Sequence, residues 1–85
     1  MRMISAYILT TVKQDGNIHK TMEQMKKINH ISSVSVVSGC YDLMILTKVS
    51  TLADLYDVTS QIQENPSILK TSTQVIEREI IQNHT

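Results

Sequence analysis

The residues of this 85-residue chain with the widest chemical options are three histidines, one cysteine, a turn aspartate and a short run of hydroxyls. His19, His30 and His84 form no H-x₃-H pair, and none lies near Cys40 in sequence, so metal-ligand spacing is missing. They read as solvated polar residues at a helix start, a helix end and the chain terminus. Cys40 sits beside Gly39 in a turn without a neighbouring base, and reads as a small loop residue rather than a nucleophile. One thiol cannot staple its own chain, so a reducing, cytoplasmic setting is expected. With Gly16 and Gly39 the only glycines, there is no phosphate-cradling loop. Arg2 precedes the first strand but lacks the glycine-rich loop that an acylphosphatase-like anion cradle needs. No Ser/His/Asp order stands out. No catalytic residue, metal or cofactor is expected.

Asp42 follows a turn glycine and opens an apolar run. Two readings stand side by side: simple turn chemistry, or an acceptor at a sheet edge that holds an ammonium group by a charge-assisted bond. Thr71, Ser72 and Thr73 place hydroxyls early in a later strand, where β propensity explains them as well as function does.

The elements that must position these residues follow from periodicity. Met3 to Lys13 is rich in β-branched residues and partly alternates, which predicts a strand. Gln14-Asp15-Gly16-Asn17 is a turn, with Asn17 as the N-cap of a helix whose stripe is Ile18, Met22, Met25 and Ile28. Asn29-His30 ends it. Val34, Val36 and Val37 mark a second strand ending at Ser38-Gly39, and Asp42–Val49 a third. Gly39-Cys40-Tyr41-Asp42 is short enough to join them as a hairpin. Thr51-x-x-Asp54 caps a second helix with Leu52, Leu55, Val58 and Ile62 inward, and Asn65-Pro66 stops it. Ile68–Ile81 is a long fourth strand.

The order is β-α-β-β-α-β. A faint internal repeat agrees with it: Tyr7–Val12 aligns with Met44–Val49, and continuing pairs Ile18 with Leu55 and Met25 with Ile62. Two similar halves predict an α+β, ferredoxin-like domain over residues 1–85: a four-stranded antiparallel sheet with both helices on one face.

The sheet's uncovered face is expected to be polar. Instead Met3, Tyr7 and Leu9 oppose Ile4, Ala6, Ile8 and Val12 on the first strand, and Met44 and Leu46 oppose Leu43, Ile45 and Val49 on the third. On the fourth, Leu69, Val75 and Ile81 oppose Ile68, Ile76 and Ile80. An apolar stripe across three strands predicts burial by a second copy, sheet on sheet, in a two-fold dimeric α+β barrel.

Lys+Arg and Asp+Glu both number 8, for a formal net charge of +0. That balance argues against direct nucleic-acid binding and against a polybasic membrane contact. No apolar run is long enough to span a bilayer. There is no Trp or Phe, so the stacking platform of an RNA-recognition sheet is missing too.

Val36-Val37-Ser38-Gly39-Cys40-Tyr41-Asp42-Leu43 resembles the V-x-x-G-x-Y-D-hydrophobic hairpin of the ligand-sensing (RAM) domain of the Lrp/AsnC transcription regulators. The run from Asn65-Pro66 through Thr71-Ser72-Thr73 is similar to that domain's second signature, and the resemblance spans Ala6 to Glu79. It implies a homodimer joined through its sheets, assembly into higher rings such as tetramers of dimers, and a small amino-acid effector bound between dimers. The implied ligand-binding residues are Gly39, Cys40, Tyr41 and Asp42, with Thr71 and Thr73 close by. Many members carry Asp or Glu where this chain has Cys40, which disfavours a basic ligand and leaves a small apolar amino acid or none. Such regulators begin with a helix-turn-helix, whereas here the first strand starts near Met1. The chain therefore resembles stand-alone sensing domains, which modulate transcription indirectly and join full-length relatives.

Three competitors share the strand order. A ligand-free adaptor would assemble with full-length Lrp/AsnC regulators. A cofactor-independent dimeric-barrel monooxygenase would favour Trp and Phe in its cavity. An ACT-like sensor would join sheets edge to edge, which the two-faced apolar strands oppose.

Overall fold

In a computed structural model of the chain, residues 3–14 and 17–76 are described. Arg2, Asp15-Gly16 of the expected turn, residues 77–81 of the expected fourth strand and His84 lie outside the described residues. The elements run β1 (Ile4–Val12), α1 (Ile18–Lys26), β2 (Ile31–Val36), β3 (Leu43–Val49), α2 (Leu52–Gln63) and β4 (Ile68–Ile76). The sheet order is β2-β3-β1-β4, with every neighbouring pair antiparallel. This is the expected ferredoxin-like arrangement.

Local chemistry fixes the helix ends. Asn17 accepts hydrogen bonds at Oδ1 from the backbone N–H groups of His19 (3.0 Å) and Lys20 (3.2 Å), satisfying donors that have no partner inside α1. The Thr51 hydroxyl does the same for Asp54 N–H at 3.1 Å. After α1, His30 adopts φ +73°, a left-handed conformation uncommon outside glycine. Its carbonyl accepts from Thr47 Oγ1 at 2.7 Å and from Lys48 N–H at 3.3 Å, which anchors the start of β2 to β3. His30 thus serves through its backbone.

The core is the face between helices and sheet. Ala6, Ile8, Ile45 and Val49 from the sheet meet Met25 of α1 and Leu55, Val58 and Ile62 of α2. Burying one such side chain contributes about 1.5–3 kcal/mol. Leu52 departs from the expected stripe and is 67% exposed. It is the first residue of α2, and side chains in a helix lean toward its N-terminus, so Leu52 projects off the end. β2 also begins three residues earlier than Val34, because Ile31 pairs with Thr47 and packs on the core. The serines between them mask the strand pattern.

Thr10 sits in this dry layer at 0% exposure, and its Oγ1 has no hydrogen-bond partner among the described residues. A buried hydroxyl without a partner carries its full desolvation cost. Thr10→Val keeps the shape and removes that cost. It should stabilise the fold by about 1 kcal/mol in urea denaturation; an equal loss instead would mean that the hydroxyl is satisfied in solution.

Register decides the second face. Tyr7 pairs with Leu46 and Leu9 with Met44, so these four half-buried side chains form one apolar block on the two central strands. On β4 the expectation fails. Ser72 lies beside Leu9 and Gln74 beside Tyr7, while Thr73 and Val75 share the helix face with Ile8 and Ala6. The cause is a register shift at Thr11/Val12, where Val12 pairs with Ile68 and Thr11 with Lys70, leaving Leu69 as an extra residue. An extra residue reverses the alternation beyond it, so Ile68 and Ile76 point to opposite faces. Among the described residues the block at Tyr7, Leu9, Met44 and Leu46 is flanked by Ser33 and Ser35 on β2 and by Ser72 and Gln74 on β4, and β4 adds only Ile76, beside Ser5, to this face.

Candidate ligand-binding cleft

β1 is central and antiparallel to both β3 and β4. Its C-terminal end must therefore meet the starts of both neighbours. Residues 11–14, the turn before β3 and the first residues of β4 converge there for that reason alone.

Asp42 ties this end together. Its N–H donates to Thr10 O at 2.8 Å, and its Oδ2 accepts from Val12 N–H at 2.8 Å. Its carbonyl accepts from Val37 N–H at 2.9 Å, closing the turn. The carboxylate thus continues the β1–β3 ladder beyond Leu43, using a side-chain oxygen where a backbone carbonyl would serve. Oδ1 accepts no hydrogen bond from the described residues. On the other side, Lys13 N–H donates to Ser67 O at 2.9 Å. Gly39 adopts φ +126°, a conformation that L side chains rarely take, although an added Cβ would meet nothing within 4 Å. The demand for glycine there comes from the backbone, not from space.

Between these segments lies an open cleft of about 460 Å³, lined by Thr11, Val12, Lys13, Gln14, Ile18, Gly39, Cys40, Asp42 and Leu69. Its volume falls within the roughly 300–1,000 Å³ of small-molecule sites. One cationic and one anionic side chain line it, and they form no ion pair with each other. Val12, Ile18 and Leu69 supply aliphatic surface. Leu69, the extra residue at the register shift, is 61% exposed.

Of the six expected site residues, Gly39, Cys40 and Asp42 line this cleft. Cys40 is an exposed free thiol. Tyr41 is half-buried and is not part of the lining. Thr71 and Thr73 are on the helix side of β4; Thr71 Oγ1 accepts from Gln63 Nε2 at 2.8 Å, and Thr73 is exposed. Thr11, Val12, Lys13, Gln14, Ile18 and Leu69 were not foreseen. The signal for them lay in topology, which sets the end of the first strand beside the hairpin, and not in any motif.

A second cleft of about 340 Å³ lies between α1 and the α2–β4 connection, where Asn65 Nδ2 donates to Gln24 Oε1 at 2.7 Å. Among the described residues no three of His, Cys, Asp and Glu are grouped to hold a metal ion. No described helix is long and apolar enough to cross a membrane.

Residues 5–85 match the family model of the Lrp/AsnC ligand binding domain. The hypothetical protein PHS023 from Pyrococcus horikoshii is similar at 30% identity and TM-score 0.78, over 96% of this chain and 99% of that one. TTHA0845 from Thermus thermophilus has a similar fold, with TM-score 0.85 and 24% identity over 93% of this chain and 99% of that one. The feast or famine regulatory protein of M. tuberculosis, solved in complex with L-methionine, shares the fold at TM-score 0.78 and 17% identity, over 96% of this chain but 55% of that one. No curated protein sequence matches the chain significantly.

Proposed function

Because the chain belongs to the Lrp/AsnC ligand-binding-domain family, we propose that it senses a small apolar α-amino acid and couples its presence to assembly with copies of itself or with full-length regulators. The observation that carries this reading is the cleft in which Gly39, Cys40 and Asp42 meet the end of β1. Asp42 offers Oδ1 to an ammonium group while Oδ2 stays bonded to Val12. The backbone around Gly39 approaches a ligand without a side chain in the way. Cys40 adds no charge, so a neutral ligand is favoured over a basic one. The L-methionine complex of the M. tuberculosis neighbour supports the same ligand class.

Pairing of copies through the Tyr7–Leu46 and Leu9–Met44 block is part of this reading, since contiguous apolar side chains at a sheet centre gain by leaving water. A cleft that opens at the sheet's end is then shared between neighbouring dimers. Tyr41 and Thr73 are offered to a neighbouring copy in such a ring, and Thr71 stays with Gln63. The ligand shifts assembly because it favours whichever state it contacts best. Regulation passes through the partners that the module joins.

A thermal-shift panel of the twenty amino acids on ligand-free protein tests the proposal. A neutral aliphatic amino acid at one hundred times its Kd should stabilise the protein by about 2.7 kcal/mol. If none of the twenty moves the transition, the sensing reading is wrong and the adaptor remains.

A further inference from the structure

We infer that Lys13 is the carboxylate-binding residue of the cleft, so that Lys13 and Asp42 together grip the zwitterionic end of an α-amino acid while Leu69 and Ile18 hold its side chain. The inference rests on the sensing proposal above and assigns polarity and orientation within it. Lys13 and Asp42 line the same cleft, one just past the end of β1 and the other just before β3. They do not close on each other, and neither forms an ion pair with a described residue. Two unlike charges that line one cleft without pairing match a zwitterion of reversed polarity. The ligand's ammonium takes Asp42 Oδ1, and its carboxylate takes the Lys13 ammonium. Each contact is charge-assisted and stronger than a neutral hydrogen bond.

The orientation then fixes the third substituent. Lys13 follows Val12 on β1, and Leu69 is the unpaired residue where β4 departs from the regular register beside it. With the two charged groups of the ligand held by Lys13 and Asp42, the aliphatic Leu69 and Ile18 of the same lining are left to take its side chain. Leu69 is among the largely exposed hydrophobics, and covering it with a ligand's aliphatic chain gains what leaving water provides. Cys40 adds no charge to the lining, which disfavours a cationic side chain.

Lys13 is well suited to substitution. It is exposed, and its bond to Ser67 is made by backbone N–H, which any residue but proline retains. Calorimetric titration should compare L-leucine and L-methionine with their primary amides, for the wild type, Lys13→Gln, Lys13→Arg and Leu69→Ser. Both kinds of probe keep the ammonium near neutral pH, and the amides lack the carboxylate. The wild type should prefer acid over amide at least about tenfold. Lys13→Gln should lose most of that preference, weakening the acids about tenfold and leaving the amides within about threefold. Lys13→Arg should restore it. Leu69→Ser should weaken acids and amides alike. If the wild type binds these amino acids and Lys13→Gln keeps the full acid preference, the assignment of Lys13 fails while sensing stands. If the wild type binds no amino acid at all, both fail together.

Discussion

Asp42→Ala should unfold several degrees earlier than the wild type, and Asp42→Asn should not, while both lose the response to L-leucine or L-methionine. The split follows from the two oxygens. Oδ2 satisfies the backbone N–H of Val12, a residue only 5% exposed, at 2.8 Å. Alanine leaves that donor without a partner, which costs about 1–3 kcal/mol. In a domain of this length each kcal/mol moves Tm by about 4–8 °C. Asparagine retains an acceptor of the same reach, so the ladder stays closed. It lacks the charge, however, and an ammonium ligand loses its counter-ion. The structure makes the carboxylate a strut as well as a candidate anchor. Differential scanning calorimetry with and without amino acid separates the two roles. Equal melting of Asp42→Ala and wild type would show that the Val12 bond contributes nothing in solution.

If copies pair through the sheet as proposed, Leu46→Glu should leave single chains at micromolar concentration. Leu46 sits on central strand β3 with Tyr7 opposite on β1 and Ser33 on β2, in the middle of the uncovered face. In a sheet-on-sheet pair a glutamate there must leave water at a cost of several kcal/mol. Two-fold symmetry adds a second copy of the same charge nearby. Each 1.4 kcal/mol is about a factor of ten in Kd, so a weakening of about a thousandfold is the expected scale. Leu52→Glu is the control: Leu52 is also leucine but stands 67% exposed at the start of α2, off the sheet, and its change should leave the mass unaltered. Light scattering on the three proteins reads the result. A wild type that runs as a single chain, or a Leu46→Glu variant that stays paired, would falsify pairing through this face.

Much of the architecture was legible because it rests on local rules. Asn17, Thr51 and Asn65-Pro66 mark helix ends by their own hydrogen-bonding and steric chemistry. Met25, Leu55, Val58 and Ile62 recur at helical spacing, and β1 and β3 alternate cleanly enough to assign both of their faces. The hairpin motif also placed Gly39, Cys40 and Asp42 together, since neighbours in sequence stay neighbours in a turn. The other lining residues carried no such mark. Lys13 and Leu69 are distant in number only; they meet because β1 lies antiparallel beside β4. The polar side of β4 was illegible for a related reason. Alternation predicts faces only while pairing stays in step, and Leu69 is the residue that breaks step.

Residue type and short spacing were enough to settle the strand and helix order, the apolar layer beneath the helices and the turn that holds Asp42. Folding in three dimensions settled the rest: which side Thr71, Thr73 and Val75 occupy, that Asp42 commits one oxygen to Val12, and that a lysine and a leucine share its cleft. Those outcomes depend on register between strands far apart in the chain, and register is set by the packing of the whole sheet rather than by any segment's own preference.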